Sequence, residues 1–149
     1  MQPSVLVLNG PNLNLLGERE PSLYGTTSLA EVEARCRTVG AEHRLHVDVR
    51  QSNHEGVLID AVHEARETAA GIVINAGGYS HTSVALRDAL AAAGIPVVEV
   101  HLTNIHRREA FRASSHVAAV ADAVICGAGA HGYELALHHL ARLIGKERA

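Results

Sequence analysis

The chain has 149 residues, a length that one domain of ordinary size accounts for and that is enough to bury a hydrophobic core. Hydrophobic residues make up 47 % and charged residues 19 % of the sequence, which excludes a disordered chain and a collagen-like repeat. The net charge is −3, so the chain lacks the positive excess on which nucleic-acid binding depends. We expect one globular domain over residues 1–149 and no nucleic-acid partner.

Cysteine usage and the first residues bear on the cellular compartment. Cys36 and Cys126 form no CxxC pair, which is typical of a reduced compartment. The residues before Val5 contain neither a basic region nor a cleavage site of the signal-peptide type. The longest uncharged stretch, residues 68–86, carries polar side chains at its centre, as a membrane helix would not. We expect a cytoplasmic protein without a membrane segment.

Short apolar runs alternate with helical patterns along the chain. The apolar runs predict five strands, at Val5–Leu8, Leu45–Val49, Gly71–Asn75, Pro96–Val100 and Ala123–Cys126. The helical patterns predict four helices: from a capping box at Ser28 to about Glu42, from a cap at Asn53 through Ala65, from about Thr82 to Ala92, and over roughly Tyr133–Ile144. This alternation indicates right-handed crossovers and a parallel sheet with both faces covered. We predict an α/β three-layer sandwich around a five-stranded parallel sheet, with the flavodoxin-like strand order as the leading arrangement.

Polar residues concentrate directly after the first, third and fourth predicted strands. Residues 9–25 form a connection longer than most compact domains contain, and we interpret it as a lid. Residues 75–83 and 101–108 follow the other two strands. Because ligands of such folds bind outside the carboxyl ends of the strands, we expect the three segments to meet in one site.

Tyr24 lies in the first of these segments, among Gly, Pro, Asn and charged residues, where we expect that its ring does not fill a core. Free tyrosine has a pKa of about 10, so a tyrosine that acts as a base needs a nearby cation. Arg19 lies five residues upstream, and Arg108 and Arg112 share a face of any helical turn that contains both. The alternative is a packed tyrosine ring and arginines in surface ion pairs.

Glu99 and His101 lie two residues apart at the fourth predicted strand, so their side chains share a face. Glu99 would hold the imidazole in one tautomer and leave the other nitrogen for general acid catalysis. The alternative is a structural pair at a strand end.

An anion site is predicted at the start of the third helix, where free backbone N–H groups and the helix dipole favour negative charge. Asn75, His81 and Ser83 surround this point, and the backbone at Leu102 and Thr103 offers similar donors. A substrate carboxylate would fit there.

Asp88 lies seven residues after His81 and therefore on the same helix face. It either contacts a ligand or forms a solvated pair with Arg87.

Two familiar patterns are rejected. Residues 127–132 match GxGxxG but follow the last strand, where no room is left for a dinucleotide-binding unit. Eleven histidines include no HExxH motif and no Cys/His cluster, so their pattern indicates no metal site. The lone lysine, Lys146, lies near the C-terminus, which disfavours Schiff-base chemistry.

Five blocks in order along the chain resemble one enzyme family. They are Gly10–Gly17, Arg19–Gly25, Gln51–Gly56, Asn75–Ser83 and Glu99–Arg108, and together they resemble the type II 3-dehydroquinate dehydratases. The resemblance covers nearly the whole chain. It implies a flavodoxin-like fold, a homododecamer built from trimers, and a hydro-lyase that uses no metal or organic cofactor. The implied reaction is the anti elimination of water from 3-dehydroquinate through an enolate to 3-dehydroshikimate, in the shikimate pathway or in quinate breakdown.

The resemblance also implies a role for particular residues. Tyr24 would remove the C2 proton, with Arg19 favouring its ionised form, and Asn12 would stabilise the enolate through water. His101, oriented by Glu99, would protonate the departing C1 hydroxyl. The implied substrate-binding residues are Asn75, His81, Leu102, Thr103 and Arg112, with Asp88 contributing at a subunit boundary. The competing hypothesis is a non-catalytic flavodoxin-like module that binds a small polyhydroxy acid or a nucleotide at the same edge.

Overall fold

Runs rich in Val, Ile and Leu form one parallel sheet in the computed structural model, which describes residues 2–148. The strands are β1 (Ser4–Asn9), β2 (His46–Gln51), β3 (Gly71–Asn75), β4 (Val97–His101) and β5 (Ala123–Cys126). The α-helices are α1 (Pro21–Tyr24), α2 (Leu29–Glu42), α3 (Glu55–Thr68), α4 (Val84–Ala93) and α5 (His131–Arg148). No helix within the described range is both long and apolar enough to cross a bilayer.

The strand order is β2-β1-β3-β4-β5, and every pair of neighbours is parallel. This is the flavodoxin-like order, so the predicted fold class is confirmed. The predicted bounds of β3 and β5 match the structure, whereas β1, β2 and β4 continue to Asn9, Gln51 and His101. The polar residues expected to follow these strands are therefore their last members, held in register by the sheet.

The core lies in two layers, one on each face of the sheet. On one face, α2 and α5 pack against alternate residues of the strands, including Val5, Val7 and Val73. On the other face, α3 and α4 cover Leu6 and Ile72 among others. Both faces of the sheet are thus buried, as the near-continuous apolar strands required.

The helix ends show where local sequence decides and where it does not. Ser28 caps α2 by accepting a hydrogen bond from the N–H of Glu31, as predicted. The prediction that Asn53 caps α3 is wrong: His54 occupies the cap without a side-chain bond, because the Oδ1 atom of Asn53 accepts from the N–H of Asn12 at 3.0 Å. Ser83 caps α4 by accepting from the N–H of Leu86.

Candidate active site

The carboxyl ends of β1, β3 and β4 meet at one cleft, as the positions of the polar segments predicted. Nine of the eleven predicted site residues line it: Asn12, Arg19, Tyr24, Asn75, His81, His101, Leu102, Thr103 and Arg112. Arg108 lines it as well. Of the remaining two, Glu99 lies beneath His101, and Asp88 lies outside the cleft.

The connection after β1 is anchored in its first half and exposed in its second. Leu13 and Leu16 are buried in the core beside α2 and α5. Beyond them, Gly17 (φ 94°) and Gly25 (φ 84°) adopt left-handed conformations that suit glycine. Of the segment that we predicted to be a lid, residues 17–25 are the exposed part and carry Arg19 and Tyr24; the lid role stays a prediction.

Tyr24 faces two arginines. The guanidinium carbon of Arg19 lies 4.8 Å from the centre of the Tyr24 ring, and that of Arg108 lies 5.1 Å from it. The ring is half-buried: it packs against the outside of the core cluster beside α2 and is not itself a core residue, as expected. The short helix α1 turns the ring inward from an otherwise exposed segment. A phenol flanked by two cations is suited to stabilise negative charge on its oxygen.

Asn12 is held at the cleft by the chain that follows β2. Its backbone is left-handed (φ 70°), a conformation that asparagine tolerates, and its N–H donates to the side chain of Asn53. Gln51 in turn donates to Asn53 at 3.1 Å and to the carbonyl of Gly10 at 3.2 Å. The Gln51–Gly56 block thus supports the Asn12 turn.

His101 and Glu99 form the pair that their spacing predicted. Nε2 of His101 is hydrogen-bonded to the Glu99 carboxylate, and both side chains are buried. The same carboxylate oxygen accepts from the Ser115 hydroxyl at 2.6 Å. The Nδ1 atom of His101 is the ring nitrogen left for a ligand. A buried carboxylate that fixes one imidazole nitrogen leaves the other in a defined state for proton transfer.

A second histidine lies beside the first. The rings of His81 and His101 stack with centres 6.2 Å apart. Nδ1 of His81 lies 2.7 Å from the carbonyl of Ser114, and because a carbonyl only accepts, Nδ1 carries the proton. Nε2 of His81 is therefore the nitrogen available to a bound molecule.

Arginine side chains close the outer side of the cleft. Arg112 stacks over Phe111 at 4.9 Å and is hydrogen-bonded to Glu109, which holds the pKa of the Glu109 carboxyl below its ordinary value. Arg108 donates to the Thr103 hydroxyl at 3.2 Å. Together with Arg19, these side chains give the cleft a positive field suited to a substrate anion.

Asp88 does not reach the cleft of its own chain. Its side chain is 65 % exposed on α4 and pairs with Arg87 at 3.2 Å. In the single chain Asp88 thus forms the solvated pair with Arg87 that was one of the two alternatives. Its role at a subunit boundary stays a prediction.

Two residues that support the site are not among the predicted site residues. Arg108 is predicted only as a possible cation near Tyr24, although its place at the end of the Glu99–Arg108 block was a signal that it belongs to the cleft. Ser115, which bonds Glu99, follows no motif or periodicity that would have singled it out.

The glycine-rich match and the candidate metal ligands both lie outside the cleft. Within residues 127–132, Gly127 and Gly129 donate N–H groups to the carbonyls of His101 and Leu102, so this run joins α5 to the end of β4. The described part of the chain holds one group with metal-ligand spacing, Glu42, His43 and His138. It is exposed, with Glu42 and His43 just before β2 and His138 on α5, and its two histidines are hydrogen-bonded to each other.

Comparison with known proteins agrees with this geometry. The chain matches the family model described as Dehydroquinase class II over residues 3–141. It is 59 % identical over 143 residues to 3-dehydroquinate dehydratase from Methylobacterium radiotolerans, with 96 % of each chain covered. It is 56 % identical over 146 residues to Catabolic 3-dehydroquinase 2 from Aspergillus flavus, with 97 % of each chain covered.

A solved structure gives the same result in three dimensions. The crystal structure of type II dehydroquinase from Propionibacterium acnes matches with a TM-score of 0.91 and 44 % identity, covering 95 % of this chain and 98 % of that one. The family model, the relatives and the solved structure each match nearly the entire chain. The chain therefore belongs to the class II dehydroquinase family.

Proposed function

We propose that the chain is a 3-dehydroquinate dehydratase, a hydro-lyase that converts 3-dehydroquinate to 3-dehydroshikimate and water, and that residues 1–149 form its single catalytic domain. The observation that carries this proposal is the convergence in one cleft of a phenol beside two guanidinium groups and an imidazole held by a buried carboxylate. The relatives named for this reaction support it.

Tyr24 acts as the base in this proposal. Its phenolate oxygen takes the C2 proton of the substrate, and the electron pair of that bond forms an enolate with the neighbouring ketone. Arg19 and Arg108 favour the phenolate by placing positive charge near the ring. Asn12 stabilises the enolate oxygen through a water molecule. The phenol returns its proton to solvent before the next turnover.

His101 acts as the acid. Collapse of the enolate expels the C1 hydroxyl, and His101 protonates it so that it leaves as water. Nε2 donates to the Glu99 carboxylate, so His101 gives up the Nδ1 proton as the imidazolium and takes a proton back from solvent before the next turnover. Base and acid belong to different segments of the chain, an arrangement suited to removing the two groups from opposite faces of the substrate ring.

The substrate carboxylate and ring hydroxyls bind to the remaining groups of the cleft. These are the side chains of Asn75, His81 and Arg112 and the backbone at Leu102 and Thr103. Asp88 reaches the cleft of a neighbouring subunit in a homododecamer built from trimers. Its exposure on α4 leaves the carboxylate accessible to such a neighbour.

The chain acts in the cytoplasm in this proposal. Both Cys36 and Cys126 are free thiols, as suits a reduced compartment. The same elimination serves the shikimate pathway and quinate breakdown, so either role fits the site.

The decisive experiment follows ultraviolet absorbance after the purified protein is mixed with 3-dehydroquinate and a chelator. The product is a conjugated enone and absorbs, whereas the substrate does not. A steady rise supports the dehydratase without a metal requirement. A flat trace from folded protein contradicts the proposal and favours the binding module, which would saturate without consuming the compound.

A second assay separates this reaction from a Schiff-base route. Lys146 is exposed near the end of α5, about 20 Å along that helix from Tyr133. Borohydride added with substrate is therefore expected to leave the enzyme active. Irreversible inactivation with a modified lysine would contradict the enolate scheme.

A further inference from the structure

A buried chain of hydrogen bonds runs beneath the cleft and ends at Asn75. The hydroxyl of Tyr133 lies 2.6 Å from Oδ1 of Asn9 and 2.9 Å from Nδ2 of Asn75. Asn9 and Asn75 are paired residues at the carboxyl ends of β1 and β3. All three side chains lie in the layer covered by α2 and α5, and Asn75 also lines the cleft. Tyr133 thus contacts a cleft residue without lining the cleft itself.

Backbone groups at both ends fix the direction of these bonds. Nδ2 of Asn9 donates to the carbonyl of Arg50 at 3.3 Å, so Oδ1 of Asn9 must be an acceptor. The N–H of Gly77 donates to Oδ1 of Asn75 at 3.2 Å, so Nδ2 of Asn75 must be a donor. Only a hydroxyl satisfies both neighbours, because it donates to Asn9 and accepts from Asn75.

The surroundings of Tyr133 keep that hydroxyl protonated. The side chain is fully buried among aliphatic residues on the α5 side of the sheet. Burial raises the pKa of Tyr133 well above its ordinary value. The hydroxyl therefore keeps the proton that Asn9 accepts at neutral pH.

We propose that Tyr133 is a positioning residue that holds the Asn75 amide in the orientation that binds substrate. Nδ2 of Asn75 carries two hydrogens, and because Tyr133 accepts one, the second is available to a substrate oxygen at a fixed angle. Without the hydroxyl, the first hydrogen has no buried acceptor, and the amide rotates to satisfy it. This inference rests on the proposed role of Asn75 in substrate binding.

A double-mutant cycle tests the inference. Steady-state kinetics with 3-dehydroquinate compare the unaltered enzyme, Tyr133→Phe, Asn75→Ala and the double variant. We expect Tyr133→Phe to raise KM about tenfold with kcat little changed, as for the loss of one hydrogen bond to substrate. In the Asn75→Ala background the same substitution should have no further effect on KM, because its target is gone.

The possible results distinguish a failure of this inference from a failure of the proposed substrate-binding role of Asn75. An unchanged KM in Asn75→Ala contradicts the binding role of Asn75 and the inference with it. A raised KM in Asn75→Ala with a normal KM in Tyr133→Phe overturns the inference alone. The same rise caused by Tyr133→Phe in both backgrounds also overturns it, because Tyr133 would then act through another residue.

Two further variants guard against a purely structural effect. Leu137→Val removes one methylene from a fully buried residue one turn along α5, and should lower Tm while leaving KM unchanged. A raised KM in Leu137→Val would mean that any loosening of α5 disturbs the cleft, which contradicts a specific role for the hydroxyl. If Tyr133→Phe does not fold, Asn9→Ala takes its place in the cycle, with a smaller rise in KM expected and the same outcomes applied.

Discussion

The halves of the cleft that hold the proposed base and the proposed acid are built in opposite ways. Arg19 and Tyr24 lie on residues 17–25, an exposed segment bounded by two left-handed glycines, and the Arg19 side chain is 36 % exposed. Glu99 and His101 lie on β4, between β3 and β5, where Glu99 is 0 % and His101 5 % exposed. The first half lies on an exposed segment, and the second half is held in register by the sheet.

The chemistry of each half explains the difference. In the proposed mechanism the Tyr24 phenol becomes a phenolate and needs nearby cations, and the exposed segment already places Arg19 over the ring. A carboxylate that must orient an imidazole needs a constant direction and protection from water, which a buried strand supplies. Changes in the loop half should therefore affect turnover alone, whereas changes in the strand half should affect turnover and stability together.

Tyr24→Phe gives the largest expected effect on turnover and the smallest on stability. It removes the proposed base but keeps the ring that packs against the core, so kcat should fall about 10²- to 10⁴-fold while Tm changes little. Absorbance assays and thermal unfolding measure the two. The matched control is Leu23→Ala, a change at an exposed neighbour on α1 that does not line the cleft. Near-normal turnover in Tyr24→Phe would contradict the assignment of the base.

Arg108→Ala examines whether the loop half depends on a cation outside the loop. Its guanidinium lies near the Tyr24 ring but belongs to the segment after β4, so its removal should lower kcat about 10- to 100-fold, by analogy with the loss of one charge-stabilising group. Arg107→Ala, at an exposed position next to it, should leave turnover unchanged. Equal losses in both variants would mean that the local backbone, rather than the charge, matters.

Glu99→Gln tests the strand half. The amide keeps the volume of the carboxylate but weakens its hold on the imidazole, so kcat should fall about tenfold or more. Because the site is buried and Ser115 also donates to Glu99, Tm should fall as well. Parallel kinetics and thermal unfolding are the measurement. A loss of turnover with unchanged Tm would break the distinction between the two halves.

The features that sequence predicted correctly are those set by local pattern. The bounds of β3 and β5 follow from apolar runs, and the Ser28 cap follows from its spacing to Glu31. The shared face of Glu99 and His101 follows from the two-residue period of a strand. Each of these depends on residues a few positions apart, so the chain beyond them has little influence.

The features that sequence missed depend on contacts between distant segments. Asparagine is a favourable helix cap, but the side chain of Asn53 instead accepts a hydrogen bond from the N–H of Asn12, 41 residues away. Ser115 lies 16 residues from Glu99, and Tyr133 lies 58 residues from Asn75. No local period relates such pairs, and only the strand order of the sheet brings them together.

The smallest effect is expected at an exposed charged pair that joins Arg50 on β2 to Glu64 on α3, far from the cleft. Arg50 donates to both carboxylate oxygens of Glu64, at 2.8 and 2.9 Å, and to Asp48 at 3.0 Å. These hydrogen bonds hold the pKa of the exposed Glu64 carboxyl below its ordinary value. Glu64→Gln makes the same carboxylate-to-amide change as Glu99→Gln, but far from the cleft, so kcat should stay unchanged.

The pH dependence of stability identifies the Glu64 contribution. Because the pKa is lower in the folded chain, the pair stabilises the fold above the unfolded value of about 4.3 and stops doing so as the pH falls through the folded value. Glu64→Gln should therefore lower Tm slightly at pH 7, less so in high salt, and not at all at a pH below both values. Thermal unfolding of both proteins across this range is the measurement. A Tm difference that persists in acid would show that Glu64 acts by packing rather than by charge. A change in kcat would show that the Arg50–Glu64 pair and the cleft are coupled despite their separation.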